Sequence, residues 1–120
     1  MKNSINEIQE VLNNYFLALH EGNTKSLQSV FIANPFIMGD KKGTLYHKSF
    51  KDYLEDVRKR TSPKAQQQQF SMQTHTISVT KNIATATVQV PLYEYNYYDV
   101  LHLVHFGGSW KIASKVFTHV

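Results

Sequence analysis

DVLHLVHFGGSWKIASKVF, residues 99–117, decides the fold: two alternating runs joined by Gly107-Gly108, with a single acid in an apolar stretch. A two-residue Gly-Gly loop suits the primed hairpin turns, because glycine tolerates positive φ at both central positions. With Phe106 opposite Ser109, the pattern predicts His105 beside Trp110, Leu103 beside Ile112, Leu101 beside Ser114 and Asp99 beside Val116 on one face. The other face then carries Val104 with Lys111, His102 with Ala113, Val100 with Lys115 and Tyr98 with Phe117. In that register Lys115 lies on the other face from Asp99 and meets solvent or a second subunit, and a one-residue bulge would reverse the assignment. Both faces are largely apolar, so both need cover.

The 120 residues, 42% hydrophobic, suffice for one domain, residues 1–120, with a real core. Without cysteine there is no disulfide framework and no thiolate metal site, which favours a reducing compartment. No apolar run reaches the roughly 20 residues of a membrane helix, and the polar start MKNSINEIQE lacks a signal-peptide core, so the default is a soluble cytoplasmic protein. Much of the +4 net charge sits in Arg58-Lys59-Arg60 with Lys64, which reads as a solvated helix end. It has neither interleaved aromatics nor a recognition helix, so no nucleic-acid partner is expected.

Working outward, Ile5, Ile8, Leu12, Tyr15, Phe16 and Leu19 recur at helical spacing and predict a helix ending near Gly22. Asn23 or Thr24 caps a short second helix through Phe31, with Leu27, Val30 and Phe31 buried and Pro35 preventing continuation. Short strands follow at Phe36–Met38 and Leu45–His47. Ser49 with Asp52 opens a third helix whose inner face is Phe50, Tyr53, Leu54 and Val57. Its outward side carries Asp52, Glu55 and Asp56, the last two pairing with Lys59 and Arg60. After a polar loop from Thr61 to Gln69, FSMQTHTISVT and IATATVQVPLYEY flank Lys81-Asn82 as a second hairpin. Helices followed by a four-stranded antiparallel meander argue an α+β fold with helices on one sheet face.

This order resembles the nuclear-transport-factor-two-like (SnoaL-like) fold, a cone of three N-terminal helices on a curved antiparallel sheet, shared by ketosteroid isomerase, scytalone dehydratase and the SnoaL-type cyclases. More narrowly, YFLALHEGNTKSLQSVF, Leu45, Ser49-Phe50, the Asp99-x-Leu101-x-Leu103 strand and the ending WKIASKVF are similar to the putative lumazine-binding family within it. The resemblance covers about Ile8 to Phe117. It departs at Phe31, which Ile32-Ala33-Asn34-Pro35 follow where the family often has His-Pro, so no role of that histidine carries over.

The resemblance implies a pocket between sheet and helices, the default ligand site. Tyr15, Phe16 and Tyr53 from the helices, with Tyr97, Leu101 and Trp110 from the strands, are the expected lining for a small apolar or aromatic molecule. Asp99 is the candidate general acid or base, since an apolar setting raises a carboxylate's pKa, and Tyr15 is its candidate hydroxyl partner. A buried acid that merely fixes strand register is the competing reading. No second acid is expected on the inner face, so the paired-acid and arginine design of the fold's epoxide hydrolases finds no counterpart. Tyr95 and Tyr97 either line the pocket or only build strand. His102 and His105 point to opposite faces and the other histidines lack i, i+4 spacing, so no metal is expected. Phosphate-binding glycine motifs and a G-x-S-x-G elbow are absent, and no cofactor is expected. Tyr98, Val100, Val104, Ala113 and Phe117 form an outer face suited to a twofold homodimer. An enzyme (isomerase, dehydratase or cyclase), a ligand-binding module and a structural or protein-interaction subunit all remain open.

Overall fold

The computed structural model describes residues 3–120. Helix α1 (Ser4–Glu21) starts at Asn3, whose side chain accepts from the Ile5 amide, and stops at Gly22 in the left-handed conformation. Ile8, Leu12, Tyr15, Phe16 and Leu19 are buried as the spacing predicts, while Ile5 stays half exposed. Helix α2 (Thr24–Ser29) is capped by Asn23 and ends before Phe31, which opens strand β1 (Phe31–Lys41). Strand β2 (Thr44–Lys48) follows a turn in which Lys42 and Gly43 have positive φ. Helix α3 (Phe50–Lys59) begins at Ser49, whose hydroxyl accepts from the Asp52 amide. Strands β3 (Gln73–Thr80), β4 (Ile83–Leu92), β5 (Tyr95–Phe106) and β6 (Ser109–His119) complete the chain.

The six strands form one sheet in the order β2-β1-β6-β5-β4-β3. The meander is antiparallel as expected. The sheet as a whole is not, because β1 runs parallel to β6, with a register shift between Phe31 and Phe36 around Pro35. Proline cannot donate to a ladder, which accounts for pairing lapsing there. Inward residues Ala86, Val88, Leu101, Leu103 and Ile112 join those of α1 in one buried cluster.

The β5–β6 hairpin corrects the predicted register half-way along. Gly107 and Gly108 both have positive φ, and Val104–Lys111 and Leu103–Ile112 pair as read from the sequence. A bulge then leaves Ala113 unpaired: His102 meets Ser114, Leu101 meets Lys115, Val100 meets Val116 and Asp99 meets Phe117. Side chains alternate strictly along a strand, so one extra residue sends everything beyond it to the opposite face. Lys115, read as outward, is therefore buried at 8% exposure, and Phe117 also turns inward. Val116, read as inward, is exposed.

Candidate functional site

Lys115 and Asp99 are the two buried charged residues among those described, and the bulge brings them together. The Lys115 Nζ lies 4.0 Å from Asp99 Oδ2 and donates to the Tyr53 hydroxyl at 2.9 Å. It also lies 5.3, 4.8 and 5.5 Å from the ring centres of Tyr15, Tyr53 and Phe117, within range for cation–π attraction. The Tyr15 hydroxyl donates to Asp99 Oδ2 at 2.7 Å, while Asp99 Oδ1 has no hydrogen-bond partner. Burial raises the Asp99 carboxyl above the usual range, and Lys115 and the Tyr15 hydrogen bond pull against that rise. Burial, reinforced by Asp99, pushes the Tyr15 phenol well up, so it stays a proton donor.

Asp99, Tyr53 and Lys115 line a cavity of about 60 Å³. Val57, Val90, Leu92, Tyr97 and Phe117 line it too, and Lys41, Tyr46, Asp56 and Arg60 complete the lining with more exposed groups. A cavity holds a water from about 10–15 Å³ upward, so this one has room for a few waters or a ligand's head group. Phe117 is placed by its neighbours: its ring meets Tyr46 and Tyr97 at centroid distances of 5.4 and 5.6 Å and packs over Gly39. A Cβ at Gly39 would come within 2.5 Å of that ring, so glycine is required there for close approach.

Of the residues expected to form the site, Tyr53, Tyr97 and Asp99 meet at the cavity. Tyr15 lies behind it, fully buried and not part of the lining, and is linked to it by its hydrogen bond to Asp99. Phe16 and Leu101 sit in the buried core, and Trp110 lies by the hairpin turn, 5.2 Å from the His105 ring, against an outer groove shared with α1. Tyr95 packs on Tyr97 and His119.

Two residues, Asp56 and Arg60, were misplaced by reading α3 from its apolar positions alone. Tyr53, Asp56, Val57 and Arg60 follow i, i+3, i+4, i+7 and present one stripe to the cavity. Asp56 is therefore a second acid at this site, contrary to expectation. It pairs with Lys48 at 2.6 Å and accepts from Tyr46 at 2.8 Å instead of pairing with Arg60. Burial opposes its ionisation, but those two hydrogen bonds outweigh it and hold the carboxyl low. Arg60 is no solvated helix end; its guanidinium lies 5.6 Å from the Tyr93 ring centre. Glu55 turns to Arg58, not to Lys59.

The family described as putative lumazine-binding matches residues 3–118. The chain belongs to that family. Solved structures share the fold. A nuclear-transport-factor-two-like protein of unknown function from Silicibacter pomeroyi is 22% identical, with a TM-score of 0.85 and full coverage of both chains. One of unknown function from Methylobacillus flagellatus is 24% identical with a TM-score of 0.86, over 97% of this chain and 91% of that one. A third, from Shewanella baltica, is 15% identical with a TM-score of 0.81, over 100% and 98%. At these identities the likeness speaks for the fold alone. No curated protein matches the chain. Among the described residues, no helix is long and apolar enough to cross a membrane.

Proposed function

We propose that this family member binds a small molecule in the Asp99–Lys115–Tyr53 cavity. The observation that carries the reading is Asp99 Oδ1, a buried acceptor with no partner on a residue that lines the cavity. Buried polar atoms are rarely left unpaired, so the orphan oxygen marks a place for a ligand's donor or an ordered water. Beside it, Lys115 has N–H groups to spare, and the Tyr53 hydroxyl accepts from Lys115 and keeps its own proton to donate. The floor thus offers an acceptor next to two donors. The family's description as lumazine-binding agrees with this, since lumazine carries N–H groups beside carbonyl oxygens. Titration with lumazine and with flavin-like and steroid-like compounds, followed by amide NMR shifts, tests the reading. Shifts centred on Asp99, Lys115 and Tyr53 support it, and a panel without response at these positions counts against it.

The raised carboxyl of Asp99 favours a second reading, an isomerase. Asp99 would take a proton from the carbon next to a carbonyl, the C–H electron pair would become the C=C bond of the enolate, and the carbonyl π pair would move to the oxygen, held by Tyr53 and Lys115. Returning the proton to another carbon would complete the isomerisation. Solvent deuterium uptake into a bound ketone, lost in Asp99→Asn, tests this.

We also propose a homodimer through the outer sheet face. Val100, Val104, Val116 and Phe36 supply its apolar part, Val116 standing where Phe117 was expected. Sedimentation of wild type against Val100→Glu checks it.

A further inference from the structure

We infer that the ligand is a head-in, tail-out organic carboxylate: a compact head with a hydrogen-bond donor beside a carbonyl oxygen enters the cavity, and a carboxylate stays at the mouth between Lys41 and Arg60. This rests on the small-molecule reading of the cavity and adds the ligand's size and charge.

Size comes first. Pockets that enclose drug-sized ligands run to about 300–1,000 Å³. The 60 Å³ here admits only a head, so the remainder of a ligand has to lie across the opening. The apolar and aromatic walls, Val57, Val90, Leu92, Tyr97 and Phe117, suit a flat head, and the floor pairs with a donor–acceptor edge.

Charge follows from which groups are already engaged. At the mouth, Asp56 is held by Lys48 and Tyr46. Among the described residues, no carboxylate lies within 4.0 Å of Lys41 or Arg60. Both cations are instead positioned by aromatic rings, Lys41 at 5.8 Å from Tyr46 and Arg60 at 5.6 Å from Tyr93, which leaves their N–H groups free to donate. Two uncommitted cations beside an opening fit an anion, and charge-assisted hydrogen bonds to a carboxylate are the strong kind. The Asp56 carboxylate at the same mouth disfavours a doubly charged phosphate. A ligand with its anionic end inward would put a negative charge against Asp99, which fixes the orientation.

The test uses pairs of probes that differ only in a carboxylate: uracil against orotate, and lumazine against lumazine-6-carboxylate, titrated calorimetrically into the full chain. The carboxylate member is expected to bind about tenfold tighter at low salt, with the advantage shrinking as ionic strength rises. In Lys41→Gln and Arg60→Gln the ratio of the two affinities should fall toward one. Equal or weaker binding of both carboxylates overturns the inference and leaves the small-molecule reading intact. If no member of either pair binds, the inference is overturned, and the wider panel of flavin-like and steroid-like compounds decides the small-molecule reading. An advantage that persists in both variants shows the carboxylate sitting elsewhere and also overturns it.

Discussion

Near its turn the β5–β6 hairpin sets Leu103 opposite Ile112, and beyond the bulge it sets Leu101 opposite Lys115 and Asp99 opposite Phe117. Both halves come from one alternating pattern. The turn half buries side chains that need only volume, and its contribution is ordinary core packing. The bulged half buries a carboxylate and an ammonium, whose desolvation is a cost that their attraction only partly offsets. A stable core therefore holds a locally unfavourable site in place, the usual arrangement where a binding group is kept buried and underpartnered.

The comparison breaks most sharply at Lys115. Lys115→Met strands the Asp99 carboxylate and should cost about 3–5 kcal/mol at neutral pH by urea denaturation. Because Asp99 binds its proton more readily folded than unfolded, stability falls as pH rises from the unfolded value, about 3.9, through the raised folded value. The variant's deficit should therefore shrink in acid as Asp99 becomes neutral. A deficit independent of pH would mean that Lys115 acts only as packing.

Leu103→Ala, in the turn half, should cost about 3 kcal/mol from lost burial and a residual cavity, equally at pH 5 and pH 8. A pH-dependent loss there would erase the distinction between the halves. Gly39→Ala pushes the Phe117 ring and should cost about 2 kcal/mol by overpacking, while narrowing the cavity. If probe binding survived unchanged, Phe117 would not be a functional wall. The smallest effect is expected from Tyr15→Phe, about 1.5 kcal/mol, because it removes one hydrogen bond to a charged group. Removing that bond should also raise the Asp99 carboxyl further, visible as a shift in its NMR titration.

The fold was legible because its signals are local: helical spacing in α1, Ser49 before α3, and paired glycines between β5 and β6. Asp99 and Tyr15 were legible for a similar reason, an acid in an apolar run and a tyrosine on an apolar helix face. Lys115 was not, because a bulge depends on how β6 is held between β5 and β1 and leaves no mark in the alternation. Asp56 and Arg60 were hidden differently. Their spacing from Tyr53 and Val57 was in plain view, but a polar stripe on a helix normally faces water. Gly39 gave no sign at all, since its role is to make room for a ring 78 positions further along the chain.

Ala113 contributes little through its own methyl group, which is half-buried and opposes no residue on β5. What matters is that it is left out of the ladder. Exchanging it for another small residue, or deleting it, would leave Lys115 and Phe117 where they are, since Ile112, Ser114 and Lys115 would still meet Leu103, His102 and Leu101. Drawing it into the ladder would instead turn both outward and bring Val116 in. The site thus depends on one residue staying out of the ladder, and a relative of the same length in which that position paired with β5 would present a different cavity.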